Sequence, residues 1–482
     1  MAQTSFYDAI VVGGGLAGTI AGGLLRRQKY RVLVLGQAQG LNSYAAGGAQ
    51  IPAMPLLLPP YGHAPVLDEV LKDIGVEDPV HTLGLENGTP LQVVTRDQRI
   101  DLSADRHRLA QELQRAFPDQ KIDFLKTLKG IESADEHLRQ MLRAHPPVPP
   151  EGLKEKVRFK RLARTDQTVD LPPPDQWPPL LRVLAAATTF ISHLDAKKRS
   201  HPVTGHLVLS LLGGLRVVPD LSDRLHKTLK KNGVEIQPRA VVEEILFEGK
   251  SISGVKTIRG SGAYNCSTLI AGMSIREALE IVPPRRRHRR FRLAAEAVRP
   301  MSGMFVLNLV VPEEVLPLGM AKQLILARDP TGALEEENLI RLLCLPYPER
   351  KGHRLLSCCC QVPYRKRALG REYLGPLEQK VFEAVAQLVP FLDEHLKGRS
   401  SPFWSSRSGE EGHPAPWSLH PVFETDQEVI MGSCVLPLRT PYRNMFYCGP
   451  EAIPGLGMEG IAYAAKETAR LVHEKRKLKK IL

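Results

Sequence analysis

The chain has 482 residues, more than one hydrophobic core usually supports, so two interlocked domains are expected. Hydrophobic residues make up 43% and charged residues 24%, a globular balance that excludes a collagen-like, low-complexity or broadly disordered chain. Lys and Arg outnumber Asp and Glu by 65 to 52, and the resulting +13 favours anionic partners without choosing among lipid headgroups, nucleic acid and acidic substrates.

In chain order, Ala9–Val12 reads as a short buried strand, Gly13 to Gly15 follow at once, and a helix is expected over Leu16–Arg27. Arg31–Leu35 is a second strand, which completes a unit of the length a βαβ crossover needs. Pro65–Ile74 has the pattern of an amphipathic helix. Leu91–Thr95 and Arg99–Leu102 form a hairpin across Asp97 and Gln98, and Asp105–Phe117 returns to helix. From Lys121 to Ser200 the pattern is helical, with proline breaks at 146–150 and 171–174 that mark loops.

A helix over Asp220–Asn232 leads into strand Val234–Ile236, and Val241–Phe247 pairs with Ile252–Ile258. Ser267–Gly272 is another buried run ending in small residues. Residues 285–430 alternate strands and helices irregularly, with a buried strand around Leu355–Val362 in which Cys358, Cys359 and Cys360 act as small hydrophobes. Asn444–Gly449 is a final core strand, and a helix follows from about Gly457 to Glu459 onward.

The seven cysteines form no CxxC pair and no zinc spacing, so no metal is expected, and their usage suits a reducing cytoplasm. The N-terminus has no signal-peptide pattern. The longest apolar stretch, Leu180–Leu194, carries Arg182 and His193 and is too short to cross a bilayer. The expectation is a cytoplasmic protein, soluble or peripheral on a membrane.

Two motifs carry chemistry. Gly13, Gly14, Gly15, Leu16, Ala17 and Gly18 fit GxGxxG where it must lie, after a strand and opening a helix. In such a turn the first glycine permits the bend, the second admits a pyrophosphate, and the third allows close helix–strand packing. The helix N-terminus adds partial positive charge. The acidic residue expected at the end of the second strand to hold ribose hydroxyls is missing. Gly36 stands there, followed by Gln37, whose amide could bond one hydroxyl. On this reading Gly36→Glu should tighten the cofactor by about 1–2 kcal/mol.

The second motif runs from Asn444 to Lys466, a strand entering a Gly/Pro-rich turn and then a helix. A helix N-terminus near Gly457 could stabilise negative charge on a reduced flavin, and Pro454, Gly455 and Gly457 would let backbone approach a flat ring.

With these motifs the sequence resembles the phytoene desaturase, carotenoid isomerase and retinol saturase branch of the FAD-dependent amine oxidase superfamily. Leu67–Gly75, Gln98–Asp105, Gly213–Ile236 and Val241–Val255 fit that branch in order, and the likeness is weakest over 120–200 and 310–430. The resemblance implies an α/β fold class: a Rossmann-like FAD-binding domain, marked by GxGxxG, interleaved with an α+β substrate-binding domain. The FAD-binding domain would take 1–118, 206–284 and the C-terminal motif and helix at 431–482. A mainly helical segment at 119–205 and residues 285–430 would form the substrate domain.

It further implies Val242 at the adenine, and Gly449 and Glu451 near the ribityl and pyrophosphate. Gly457, Met458 and Glu459 would lie at the isoalloxazine, with Gly47 and Gly48 as further flavin-edge glycines. The implied activity is desaturation, saturation or isomerisation of a lipophilic isoprenoid or polyene in an apolar tunnel, by hydride transfer with the flavin. No catalytic acid or base is named. His413 and His420 qualify by residue type alone.

Two alternatives stand beside this reading. One is a flavin oxidase for an amine or porphyrinogen, and the other a non-catalytic binder like the Rab GDP-dissociation inhibitors. Nucleic acid is not an expected partner, and the oligomeric state is open. The basic runs Arg285–Arg290 and Lys475–Lys480, the latter with Leu471, Val472, Leu478, Ile481 and Leu482 nearby, suggest adsorption to an anionic membrane surface.

Overall fold

The computed structural model describes residues 5–36, 43–46, 49–76, 91–146, 171–218, 221–258, 262–404 and 419–481, with a few positions between 148 and 161. Gln37, Gly47, Gly48 and His413 lie outside the described residues.

The apolar run of strand β1 (Phe6–Val12) is buried on both faces, as a central parallel strand must be. It pairs in parallel with β2 (Val32–Leu35) on one side and β12 (Ala263–Ala271) on the other. Beyond β2 lies β9 (Glu235–Gln237), and beyond β12 lies β19 (Met445–Tyr447), both parallel. Strands β10 (Val242–Glu248) and β11 (Ser251–Thr257) extend this first sheet as an antiparallel meander on β12. Helix α1 (Leu16–Arg27) follows β1 directly and buries Ile20, Ala21, Leu24 and Leu25. The last helix, Gly457–Ile481, packs against it.

The second sheet is mixed. Its path runs β17 (Gly398–Ser400), β13 (Val298–Pro312), β16 (His353–Pro363), β15 (Ile340–Pro346), β14 (Gln323–Leu326), β6 (Leu91–Val94) and β7 (Arg99–Leu102). Strand β18 (Val422–Thr425) pairs with β13 off this path. The β6–β7 hairpin, assigned above with residues 1–118, is hydrogen-bonded into this second sheet through β14. Two small ribbons complete the strands: β3 (Ser43–Ala46) with β4 (Ala49–Pro52), and β5 (Leu56–Leu58) with β8 (Arg216–Val218).

Strand alternation divides the second sheet's side chains between two cores. Phe305, Leu307, Leu309, Ile340, Leu342, Leu356, Cys358 and Cys360 pack with the helix Gly370–Leu388 on the outer face. Val306, Leu343, Leu345, Leu355 and Cys359 face the first domain. All three consecutive cysteines are buried as expected, on alternating faces.

Helix α2 (Pro65–Ile74) shows how the two ends of the chain depend on each other. Its apolar stripe buries Val66, Leu67, Val70, Leu71 and Ile74, and Gly75 at φ 74° ends it in the left-handed region. Its N-cap residue, Ala64, offers no side-chain acceptor. The cap is Glu459, from the last helix, which accepts from Val66 N at 3.0 Å and Leu67 N at 2.8 Å.

Among the described residues, no helix is long and apolar enough to cross a membrane. Arg285 to Arg290 are exposed, although Arg286 and Arg287 are tied to the backbone carbonyls of Gly249, Val282 and Glu280. The start of the tail differs from a lipid-facing helix. Leu471 and Val472 are buried in the core, Lys475 sits over the Phe446 ring, and Arg476 sits over Tyr30 and pairs with Asp8. Their sequence spacing allowed an interfacial face, but α1 and β19 already cover that side.

Candidate functional site

The glycines of the first motif have different reasons to be glycine. Gly13 adopts φ 107°, and a Cβ there would stand 2.7 Å from the Gly272 backbone. A Cβ at Gly14 would press on the Gly36 Cα at 3.0 Å, and one at Gly18 on Val11 Cγ1 at 2.8 Å. These three let α1, β1, β2 and β12 approach one another. Gly15 is different: it is exposed, and its nearest neighbour would be Gly272 O at 3.4 Å, an ordinary contact. Nothing among the described residues requires glycine there.

Gly15 is also the N-cap of α1, with no side-chain cap bond and no acidic residue in the first turn. Leu16 beside it is half-buried and Ala17 buried. The first-turn N–H groups thus present positive potential at the carboxyl end of the central strand, where α/β sheets bind anions. His226, which the sequence did not single out, lies against the Gly14 backbone, and burial holds its imidazole below the usual range.

The missing acidic residue has a steric cause. A Cβ at Gly36 would collide with the carbonyl oxygen and lie 2.6 Å from the Cα of Pro238, which leaves β9 just beside β2. The expectation that Gly36→Glu would tighten the cofactor is therefore replaced by its opposite. That change should destabilise the fold by about 3 kcal/mol or more, because the obstacle is backbone and cannot turn aside. A melting curve no lower than wild type would refute this packing. Val242 opens β10 and is buried there.

The C-terminal motif is tightly braced. A Cβ at Gly449 would meet the Tyr447 hydroxyl and the Met273 carbonyl. Glu451 is buried, with Oε1 accepting from Ser274 Oγ at 2.8 Å and Ile275 N at 3.3 Å, and Oε2 accepting from Tyr447 OH. Burial pushes its carboxyl up. Gly455 lies against the Ser433 Cα, Gly457 at φ 55° lies against the Ile191 carbonyl, and Gly460 against Ile453 O. Met458 is buried, and Glu459 caps α2 as described. The structure therefore brings Gly455, Gly457 and Met458 together at one turn, while the carboxylates of Glu451 and Glu459 are engaged within the protein.

Residues 188–194 join that turn to the second sheet. Ser192 Oγ donates to Gly455 O at 2.9 Å, and His193 N donates to Pro454 O at 2.9 Å. His420 approaches the same segment, its Nε2 lying 3.0 Å from Thr189 O and 3.1 Å from Ser192 O. With two carbonyls as partners, Nε2 carries the hydrogen and donates to both. His193 stacks on His420 with ring centroids 4.1 Å apart. Burial, reinforced by the neighbouring His193 and Arg341, holds His420 well below its usual pKa. This neutral, bifurcated donor positions the segment, and the arrangement explains the histidine without general acid–base work.

The sheet face beyond this segment carries buried polar side chains. Arg341 and Ser357 are buried on it among Leu343, Leu355 and Cys359, beside Asn308 and Gln323. Gln361 accepts from Thr189 Oγ1 at 3.1 Å at the junction with residues 188–194. Among the described residues, no group of three or more His, Cys, Asp or Glu could hold a metal ion.

A largely parallel sheet with an uncapped helix N-terminus, docked on a mixed eight-stranded sheet, is a fold this chain shares with solved oxidoreductases. The chain is similar to an oxidoreductase from Methanosarcina mazei (TM-score 0.61, 13% identity, covering 96% of this chain and 99% of that one). It is similar also to putrescine oxidase bound to putrescine (TM-score 0.60, 13% identity, covering 98% and 99%). Cyclohexylamine oxidase from Brevibacterium oxydans gives a TM-score of 0.60 at 15% identity, covering 98% and 99%. No family model and no curated protein matches the sequence. At these identities the likeness is one of fold.

Proposed function

We infer that the chain is an FAD-dependent oxidoreductase of the amine oxidase type. The observation that carries this reading is Gly15: an exposed glycine that no described neighbour requires to be one, at the uncapped N-terminus of α1. A pyrophosphate fits that place by geometry and by charge. The N–H groups of Gly15, Leu16 and Ala17 would hold it, with His226 beside them. The turn 454–457, braced by Ile191 and Ser433, would support the ring. Bound FAD would supply a hydride acceptor, while the protein supplies orientation and exclusion of water.

On the substrate, the sheet face bearing Arg341, Asn308 and Ser357 favours a polar molecule over the isoprenoid or polyene implied by the sequence resemblance. A tunnel for a polyene gains nothing from a buried guanidinium, which is costly to desolvate. The folds of putrescine oxidase and cyclohexylamine oxidase support the same direction, because both act on small nitrogen compounds by their names.

Purified protein should be yellow, with a flavin absorption spectrum whose chromophore is released on denaturation. A colourless preparation that takes up no FAD on reconstitution would sink the enzyme reading. It would favour a binding protein built on the same fold.

A further inference from the structure

We propose that Arg341, Ser357 and Asn308 form a recognition site for a carboxylate, so that the substrate is a small carboxylic acid with an N–H or O–H donor close to the acid group. That this site serves a substrate rests on the flavoenzyme reading; that it binds a carboxylate does not.

The three residues lie on the inner face of the second sheet and are all at least nine-tenths buried, with exposures of 3% for Arg341, 1% for Ser357 and 0% for Asn308. Register puts them side by side. Asn308 stands opposite Ser357 across β13 and β16, Ser357 stands opposite Leu343 across β16 and β15, and Arg341 is two residues from Leu343 on the same face. Diagonal neighbours at that spacing are within reach of a long side chain.

All three carry polar atoms with no hydrogen-bond partner among the described residues: Nε, Nη1 and Nη2 of Arg341, Oγ of Ser357 and Oδ1 of Asn308. Five orphaned atoms on adjacent positions are far from the usual behaviour of buried polar groups, which are paired almost without exception. Burying a guanidinium is especially costly where, as here, no described acidic side chain bonds to it.

The donors and acceptors specify the ligand. The planar guanidinium fork matches the two oxygens of a carboxylate, and the attraction is strong away from water. Asn308 is oriented by its own bonds: Nδ2 donates to Pro52 O at 3.4 Å and to Tyr44 OH at 3.0 Å, which leaves Oδ1 as a pure acceptor. Its ligand partner must therefore be a donor. Ser357 can serve either group.

The site is also in the right place. The Arg341 Cζ lies 5.7 Å from the Phe190 ring centroid, and the next residue, Ile191, closes on Gly457. One short segment thus separates the guanidinium from the turn that would support the flavin ring. Phe190, itself buried, lies over the guanidinium on the side facing that segment.

The test uses the full-length protein as purified and two probes that differ by the carboxylate, phenylalanine and phenethylamine, read by calorimetry. Wild type should bind phenylalanine at least tenfold more tightly than phenethylamine. Arg341→Leu should erase that difference while leaving flavin content unchanged and the melting temperature equal or higher, since an unpaired buried charge has been removed. Arg341→Lys, which keeps the charge without the fork, should restore part of the preference. Equal binding of the two probes by wild type, binding of neither, or an undiminished preference in Arg341→Leu overturns the proposal. The wild-type comparison decides it even where a variant fails to fold. Because calorimetry does not depend on flavin colour, a colourless protein that takes up no FAD on reconstitution yet still prefers phenylalanine would overturn the flavoenzyme reading and leave the carboxylate site standing.

Discussion

Gly15→Val should empty the protein of FAD without unfolding it. The new side chain stands at the exposed mouth of the helix, its Cβ no closer than 3.4 Å to any described atom, and the residue's φ of −64° and ψ of 165° suit valine. The fold therefore has little to lose. The pyrophosphate, by contrast, would meet a branched side chain where it must touch backbone. A loss of about a hundredfold or more in affinity is expected, roughly 3 kcal/mol. The ratio of flavin to protein absorbance in purified variant and wild type measures it, with a melting curve as control. Gly457→Ala is the contrasting variant. Its methyl would enter the Ile191 carbonyl at a positive φ, so it should lower the melting temperature first and lose flavin as a consequence. Equal flavin retention by Gly15→Val and wild type would place the cofactor elsewhere.

Glu459→Ala should be among the most damaging single changes to stability. It strips the acceptor from two buried N–H groups at the start of α2, each costing about 1–3 kcal/mol when left unsatisfied, and opens a cavity at the junction of two helices. Equilibrium denaturation reads the loss. The same residue sets a pH signature. Burial pushes its carboxyl up to about 7, against the pull of the two N–H groups. From the ordinary glutamate range up to about 7, the folded protein holds a proton that the unfolded chain has released. Stability from this group therefore falls as pH rises through that window and levels off above it. Glu459→Gln, neutral throughout, should give a flatter profile across the same range. An identical slope in wild type and Glu459→Gln would assign the dependence to other groups.

Much of the fold was legible because it is written locally. The helix over Leu16–Arg27 begins and ends where the glycines and arginines say, and Pro65–Ile74 matches its apolar stripe residue for residue. The hairpin at Asp97 and Gln98 and the meander of β10 and β11 are also local events. What escaped depends on contacts between residues distant in sequence. The cap of α2 lies 393 residues from Val66, and the reason for Gly36 is Pro238, which only the pairing of β2 with β9 brings near. The polar inner face escaped for another reason. Arg341 sits alone in Ile-Arg-Leu-Leu-Cys-Leu, where an apolar strand is easily read as uniformly core. The signal was available: a single arginine inside a buried strand needs a partner, and the strand Ile340–Pro346 itself offers none.

The Glu459–α2 cap and the placement of β19 beside β12 also constrain how this protein is made. During synthesis, β1, α1 and α2 emerge hundreds of residues before the strand that extends their sheet and the carboxylate that caps the second helix. Until those last segments leave the ribosome, the first domain exists with an open strand edge and a frayed helix. Such high-separation contacts slow folding and leave intermediates prone to association. The second sheet can assemble earlier, from β6 through β18, and offer a template on which the unfinished domain waits. Nascent chains stalled before residue 444 should accordingly be protease-sensitive around α2 even when the β13–β16 hairpin is already protected.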